Sequence, residues 1–168
     1  TVTATGSALT YQWYKGATML TDGARIGGSN TGVLTISGLI AADGGTYQCN
    51  VSGSCGFDND NSAVLTVNRN VTITIQPAST SALAGTNPTF TVVASGSITG
   101  YQWYKGAAPL ADGADYSGTN TATLNVLDAQ APDAGAYSCV IYGLCGNVTS
   151  STADLTVIPA SQIVIQPV

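Results

Sequence analysis

Tyr11-Gln12-Trp13-Tyr14-Lys15-Gly16 returns ninety residues later as Tyr101-Gln102-Trp103-Tyr104-Lys105-Gly106. Outward from this pair the register holds without a gap. Asp22-Gly23-Ala24 matches Asp112-Gly113-Ala114, and Asn30-Thr31 matches Asn120-Thr121. Asp43, Gly45, Tyr47 and Cys49 match Asp133, Gly135, Tyr137 and Cys139, and Leu65-Thr66-Val67 matches Leu155-Thr156-Val157. Ile75-Gln76-Pro77 comes back as Ile165-Gln166-Pro167. Self-similarity at a fixed period marks a chain built from repeated structural units.

The 168 residues are cut out of phase with that period. The segment from Asn68 to Phe90 opens the second copy and has no counterpart ahead of Thr1, while residues 159–168 begin a third copy. The expected organisation is a first, N-terminally incomplete domain over 1–68, a second domain over 69–158, and a strand of a further repeat over 159–168.

Each copy reads as short strands. Phe90, Val92 and Ala94 alternate with polar residues, as do Leu34 and Ile36, Leu124 and Val126, and Tyr47, Cys49 and Val51. Gly, Asp, Asn and Pro clusters separate these runs, and no segment sustains a helical period; this is the pattern of an all-β sandwich.

Composition narrows the function. Charged residues are only 8 %, with 4 Lys plus Arg against 9 Asp, no Glu and no His, for a net charge of −5. Four dispersed cations form no stripe able to displace counterions from phosphates, so nucleic acid is excluded as a partner. Without His or Glu, a Ser or Thr nucleophile lacks its usual base, and the expectation is a protein that is not an enzyme and needs no cofactor. No apolar run reaches the length that spans a membrane as a helix.

Taken together, a Trp in a W-Y-K strand, then L-x-I, then D-x-G-x-Y-x-C, then L-x-V resemble the immunoglobulin-like domain, particularly its I-set. The resemblance covers essentially the whole chain in two tandem β-sandwiches. It implies that Trp13 and Trp103 are the core tryptophans of strand C. Tyr47 and Tyr137 become the tyrosine-corner residues two positions before the strand-F cysteine, and Asp43 and Asp133 tie down backbone N–H groups at that corner. Where the family carries its strand-B cysteine, this chain has Val92, and Val2 in the first copy. The inter-sheet disulfide is therefore missing. In its place the expected bridges are Cys49–Cys55 and Cys139–Cys145, each closing a hairpin through a three-residue loop with Gly53 or Gly143 in the left-handed position. Free buried thiols are the alternative. A bridge in each domain would place the chain in an oxidising compartment. Asp133-Ala134-Gly135-Ala136-Tyr137 and Cys145-Gly146-Asn147-Val148-Thr149-Ser150 also resemble tandem repeats of large secreted or cell-surface bacterial proteins, which implies an extracellular location.

Three further candidates stand beside their plainer readings. Asp58 and Asp60, in the acidic stretch Phe57–Asn61, are calcium candidates, although an ordinary polar loop is favoured and no metal is expected. Tyr116 and Tyr142 have no aromatic counterpart in the first copy and are candidate stacking surfaces for a glycan. Ile163, Val164, Ile165 and Pro167 form a candidate assembly strand that would complete the first domain of another copy, against the favoured reading of a piece of a longer covalent array. The expected function is a non-catalytic structural repeat of an extracellular filament, stalk or adhesin, whose partners are copies of itself or neighbouring repeats. The alternatives are a ligand-recognition module for a glycan or a cell-surface protein, and accessory domains of a larger secreted enzyme.

Overall fold

The computed structural model describes residues 1–59 and 62–159. Contacts divide the chain into two compact units, Thr1–Val67 and Asn68 onward. The candidate assembly residues Ile163, Val164, Ile165 and Pro167, and the calcium candidate Asp60, lie outside the described residues.

In the first unit β1 (Thr10–Lys15), β2 (Thr18–Met19), β3 (Ile26–Gly27), β4 (Thr35–Ile36), β5 (Gly45–Gly53), β6 (Gly56–Asp58) and β7 (Ser62–Leu65) follow one another. Among the described residues the main sheet runs β2-β1-β5-β6, with β7 also on β5, and β3 pairs with β4. The centre of this sheet is the antiparallel β1–β5 ladder, in which Trp13 lies opposite Cys49 and Lys15 opposite Tyr47. Alternation does the rest: Tyr47, Cys49 and Val51 point into the core, and Gln48, Asn50 and Ser52 point away.

The second unit repeats this ladder and adds strands before it. Its elements are β8 (Thr72–Ile75), β9 (Thr80–Leu83), β10 (Thr89–Thr91), β11 (Val93–Ser95), β12 (Ile98–Lys105), β13 (Ala108–Pro109), β14 (Tyr116–Ser117), β15 (Thr123–Val126), β16 (Gly135–Gly143), β17 (Val148–Thr149) and β18 (Ala153–Ile158). The larger sheet is β13-β12-β16-β18-β9, with β17 on β16; β9 joins β18 in parallel. Facing strands are β10-β15-β14 and the pair β11-β8. Phe90 closes the core, stacked on Tyr137 with ring centroids 4.9 Å apart and tilted against Trp103 at 6.2 Å.

The architecture is all-β, two tandem immunoglobulin-like β-sandwiches; among the described residues of the first unit no strand corresponds to β8, β9, β10 or β11. No helix among the described residues is long and apolar enough to cross a membrane.

Candidate functional site

The residues that repeat most faithfully converge on one corner of each unit. A single 3-10 turn, Ala41–Asp43 or Ala131–Asp133, leads into the long strand β5 or β16. Asp43 Oδ2 accepts the Ile40 N–H at 2.7 Å, and Asp133 Oδ2 accepts the Gln130 N–H at 2.9 Å. Four residues on, the Tyr47 hydroxyl donates to the Asp43 carbonyl at 2.6 Å and the Tyr137 hydroxyl to the Asp133 carbonyl at 2.7 Å. Lys15 and Lys105 donate to the carbonyls of Ala42 and Pro132 and hold their ammonium groups 5.9 and 5.8 Å from the ring centres of Tyr47 and Tyr137. Burial is the main reason both phenols are pushed above their ordinary pKa. The Ile40 N–H is the main cause holding the Asp43 carboxyl below the usual range.

The two corners differ in what holds the acid. Arg25 pairs with the Asp43 carboxylate in the first unit. The second unit has Asp115 at that repeat position, and the neighbouring Tyr116 hydroxyl donates to Asp133 Oδ1 at 3.2 Å. Tyr116 also meets the Tyr137 ring edge-on at 6.5 Å. It is a half-buried member of the corner rather than an exposed stacking surface. A phenol in the second copy thus takes over the bonding role of a guanidinium in the first.

A second repeated frame went unassigned in the sequence, although Asp22 and Asp112 stood out as matched positions. Asp22 Oδ1 accepts the Ser29 N–H at 2.7 Å. Asp112 Oδ1 accepts both the N–H and the hydroxyl of Thr119, at 2.8 and 2.7 Å. Both carboxyls sit below their ordinary value, chiefly through the Ser29 backbone N–H for Asp22 and the Thr119 hydroxyl for Asp112. Trp13 and Trp103 donate from Nε1 to the carbonyls of Thr31 and Thr121 at 2.8 and 2.9 Å. These bonds tie the loop after the tryptophan strand to the core.

The hairpin carrying the cysteines departs from the expected geometry. β5 continues through Gly53, the turn is Ser54-Cys55, and Gly53 lies opposite Gly56. Gly53 is a strand residue, not the left-handed residue of a three-residue loop, and Cys55 sits at the exposed tip. Cys49 faces the core six residues before Cys55. In the second unit the partner across from Cys139 is Ser150, whose N–H donates to the Cys139 carbonyl at 2.8 Å and whose hydroxyl accepts the Cys139 N–H at 2.9 Å. The bridges Cys49–Cys55 and Cys139–Cys145 are therefore not formed, and all four thiols are free. Burial pushes the Cys49 thiol up and the Cys139 thiol up to about 11. The oxidising compartment inferred from the bridges loses that support.

Asp58 lies in β6 opposite Val51. Among the described residues no group of three or more Cys, Asp, Glu or His side chains is placed to hold a metal ion. Tyr142 lies one position beyond the core-facing Ile141, so it points out of the sheet, as does Tyr104 beyond Trp103. A hydrogen bond with Tyr104 is the first cause of the raised Tyr142 phenol pKa.

The first unit also holds an open groove of about 690 Å³, walled by Val2–Ser7 on one side and by Val51, Gly53 and the Ser54–Asp58 turn and strand on the other. Phe57, 77 % exposed, stands at its rim. A smaller opening of about 290 Å³ lies between Thr1–Thr3, Trp13 and Ser62–Ala63.

With this geometry in hand, residues 72–142 match the family described as immunoglobulin domain. Among solved structures, the N-terminal four Ig domains of Dscam1 isoform 1.9 superpose with a TM-score of 0.68 at 23 % identity, covering 89 % of this chain and 37 % of that one. Sidekick-1 immunoglobulin domains 1–4 align with a TM-score of 0.65 at 19 % identity, covering 93 % and 41 %. Sidekick-1 domains 1–5 align with a TM-score of 0.52 at 26 % identity, covering 90 % and 33 %. The chain spans roughly two-fifths or less of the structures it resembles. The likeness is one of fold, extending over both units.

Proposed function

We propose that this chain is a non-catalytic structural repeat of an extracellular filament, stalk or adhesin of a bacterial surface, whose partners are copies of itself or neighbouring repeats. The observation that carries the reading is the use made of the repeated polar residues. Asp22, Asp43, Lys15, Tyr47 and their counterparts all hold backbone groups of their own unit. Residues engaged in this way maintain shape, and the Thr119 hydroxyl that Asp112 accepts is fully buried, out of reach of a substrate. A chain with 8 % charged residues and Thr-, Ser- and Gly-rich strands suits repeated packing of domains rather than steering of an ionic substrate.

A second reading, recognition of a glycan, has one supporting feature, the outward-facing pair Tyr104 and Tyr142 on the β12–β16 sheet. A glycan array probed with the full chain separates the two. The structural reading expects no glycan bound above background. A hit lost in both Tyr104→Ala and Tyr142→Ala, with thermal unfolding unchanged, would replace it with the recognition module. Measurable hydrolysis of ester, glycoside or peptide substrates by the purified chain would sink both.

A further inference from the structure

Three Asn-x-Ser/Thr triplets occur in the chain: Asn50-Val51-Ser52, Asn70-Val71-Thr72 and Asn147-Val148-Thr149. Such a triplet is an acceptor for an N-linked glycan when its asparagine stands clear of the fold. None belongs to the ninety-residue frame, because the residues matching Asn50, Asn70 and Asn147 are Val140, Ala160 and Phe57. Their surroundings divide them two to one.

In Asn70-Val71-Thr72 the outer residues are exposed and Val71, 5 % exposed, is part of the second unit's core. Out-in-out alternation sets the asparagine amide and the threonine hydroxyl together on the solvent side, anchored by the valine between them. Asn147-Val148-Thr149 has the same pattern. Asn147 and Thr149 are exposed, while Val148 lies opposite Ile141 and packs against the core. Asn147 Oδ1 accepts the Gly143 N–H at 3.4 Å. That contact engages the amide oxygen and leaves Nδ2, the atom that carries a glycan, on the side away from the Gly143 backbone.

Asn50 is the opposite case. It lies within the nine-residue strand β5, opposite Gln12 of β1, and β5 pairs with β6 and β7 along its other edge. Asn50 is half-buried and its Oδ1 is wholly buried. A glycan linkage needs the side-chain amide clear of its neighbours, and this amide is packed between flanking strands.

Asn70 and Asn147 stand at one end of the second unit, and Ser97 ties their segments together. Its N–H donates to the Arg69 carbonyl at 3.1 Å, its hydroxyl accepts the Arg69 N–H at 3.0 Å, and its carbonyl accepts the Leu144 N–H at 3.0 Å. Val71 lies so close over Gly143 that a Cβ there would collide with its Cγ2. The same end carries the turn Leu144-Cys145, with Leu144 63 % exposed.

We propose that Asn70 and Asn147 are acceptor sites for N-linked glycans and that Asn50 is not. From the proposed function this takes only the extracellular setting, since the triplet is modified on chains exported across a membrane. Nδ2 attacks the anomeric carbon of a lipid-pyrophosphate-linked oligosaccharide in the active site of an oligosaccharyltransferase. The new C–N bond replaces the C–O bond, the lipid pyrophosphate leaves with the bonding pair, and an amide proton passes to a base of the transferase. The gain is hydration: only 8 % of this chain is charged, and two bulky, water-bound glycans at the end that exposes Leu144 keep that surface soluble.

The test is secretion of the full chain from a eukaryotic host, with an appended unstructured Asn-x-Thr tail that reports passage through the transferase. Intact-mass analysis should show two glycans besides the one on the tail. Enzymatic release that converts the carrying Asn to Asp should mark residues 70 and 147 and leave residue 50 unchanged. Thr72→Ala and Thr149→Ala should each remove one glycan, Thr149→Ser should keep it, and Ser52→Ala should change nothing. A secreted chain modified on the tail alone would overturn the proposal, as would occupancy at only one of the two sites or at Asn50. Should the chain not be secreted, translation into microsomes decides in the same way, with two endoglycosidase-sensitive mobility shifts expected beyond the tail and neither lost in Ser52→Ala. These results leave the structural-repeat reading as it stands, whereas glycan capture or hydrolysis by the chain would remove that reading without altering occupancy.

Discussion

The two units share one polar frame and differ in how their cores are closed. In the second, twelve buried residues form a continuous core that includes Val71, Phe90, Val92, Leu124 and Val126. In the first, five do, and Leu34 and Ile36, at the positions of Leu124 and Val126, are only partly buried. Trp13 is 5 % exposed where Trp103 is 0 %, and Tyr47 is 7 % exposed where Tyr137 is 0 %. The hydrogen bonds of the tyrosine corner and of the tryptophan indole are nevertheless nearly the same length in both. Local polar geometry is therefore a property of the repeat, while dryness of the core depends on strands from the segment 68–90. A smaller opening lies beside Trp13, whereas Phe90 packs against Trp103 in the second unit.

The sharpest way to break this comparison is to remove Phe90. Phe90→Ala should cost the second unit about 3–5 kcal/mol, through lost burial and a residual cavity. Differential scanning calorimetry should resolve a lower transition for the first unit and a higher one for the second, and the substitution should collapse the gap. A single unshifted transition would show that the extra strands do not set the difference.

Next comes the corner. Tyr137→Phe and Tyr47→Phe each delete a hydroxyl that donates to a backbone carbonyl, with an expected loss of about 1–2 kcal/mol. The loss should be larger in the second unit, because Tyr137 is the more deeply buried and also carries the contact with Tyr116. Urea denaturation of the two variants measures the ordering, and equal losses would argue that burial at the corner is irrelevant.

Acid should act through the carboxyls held low in the folded state. Asp22, Asp43 and Asp112 all titrate below the model-peptide value of 3.8 when folded, so the unfolded chain binds more protons as pH falls through that region. Their contribution is complete above about pH 5 and is lost below about pH 4. Stability measured by chemical denaturation should be flat from pH 7 to 5 and decline below 4. Asp112→Asn should make the decline of the second unit shallower, and an unchanged slope would remove that residue from the account.

The smallest expected effect concerns the thiols. Cys55 and Cys145 should react with a thiol reagent in the native protein, and Cys49 and Cys139 only after unfolding. Cys55→Ser with Cys145→Ser should shift stability by no more than about 0.5 kcal/mol, as for exposed positions generally. Absence of any free thiol in the denatured, unreduced chain would restore the bridges.

Much of this protein was settled by the order of its residues alone. The ninety-residue period, the alternation in Tyr47-Cys49-Val51, and the Trp and D-x-G-x-Y signatures were enough for two tandem all-β sandwiches, because period-two patterning and turn residues act over short distances. The tertiary structure decided what depends on register and burial. A hairpin whose turn is Ser54-Cys55 rather than Val51-Ser52-Gly53 turns a supposed disulfide into one buried and one exposed thiol. Tyr116 reads as a surface aromatic until Asp133, seventeen residues away in sequence, is seen to accept its hydroxyl. The frame around Asp22 and Asp112 was visible as a repeat but silent as a role, since a carboxylate's partner is named only when the loop folds back upon it.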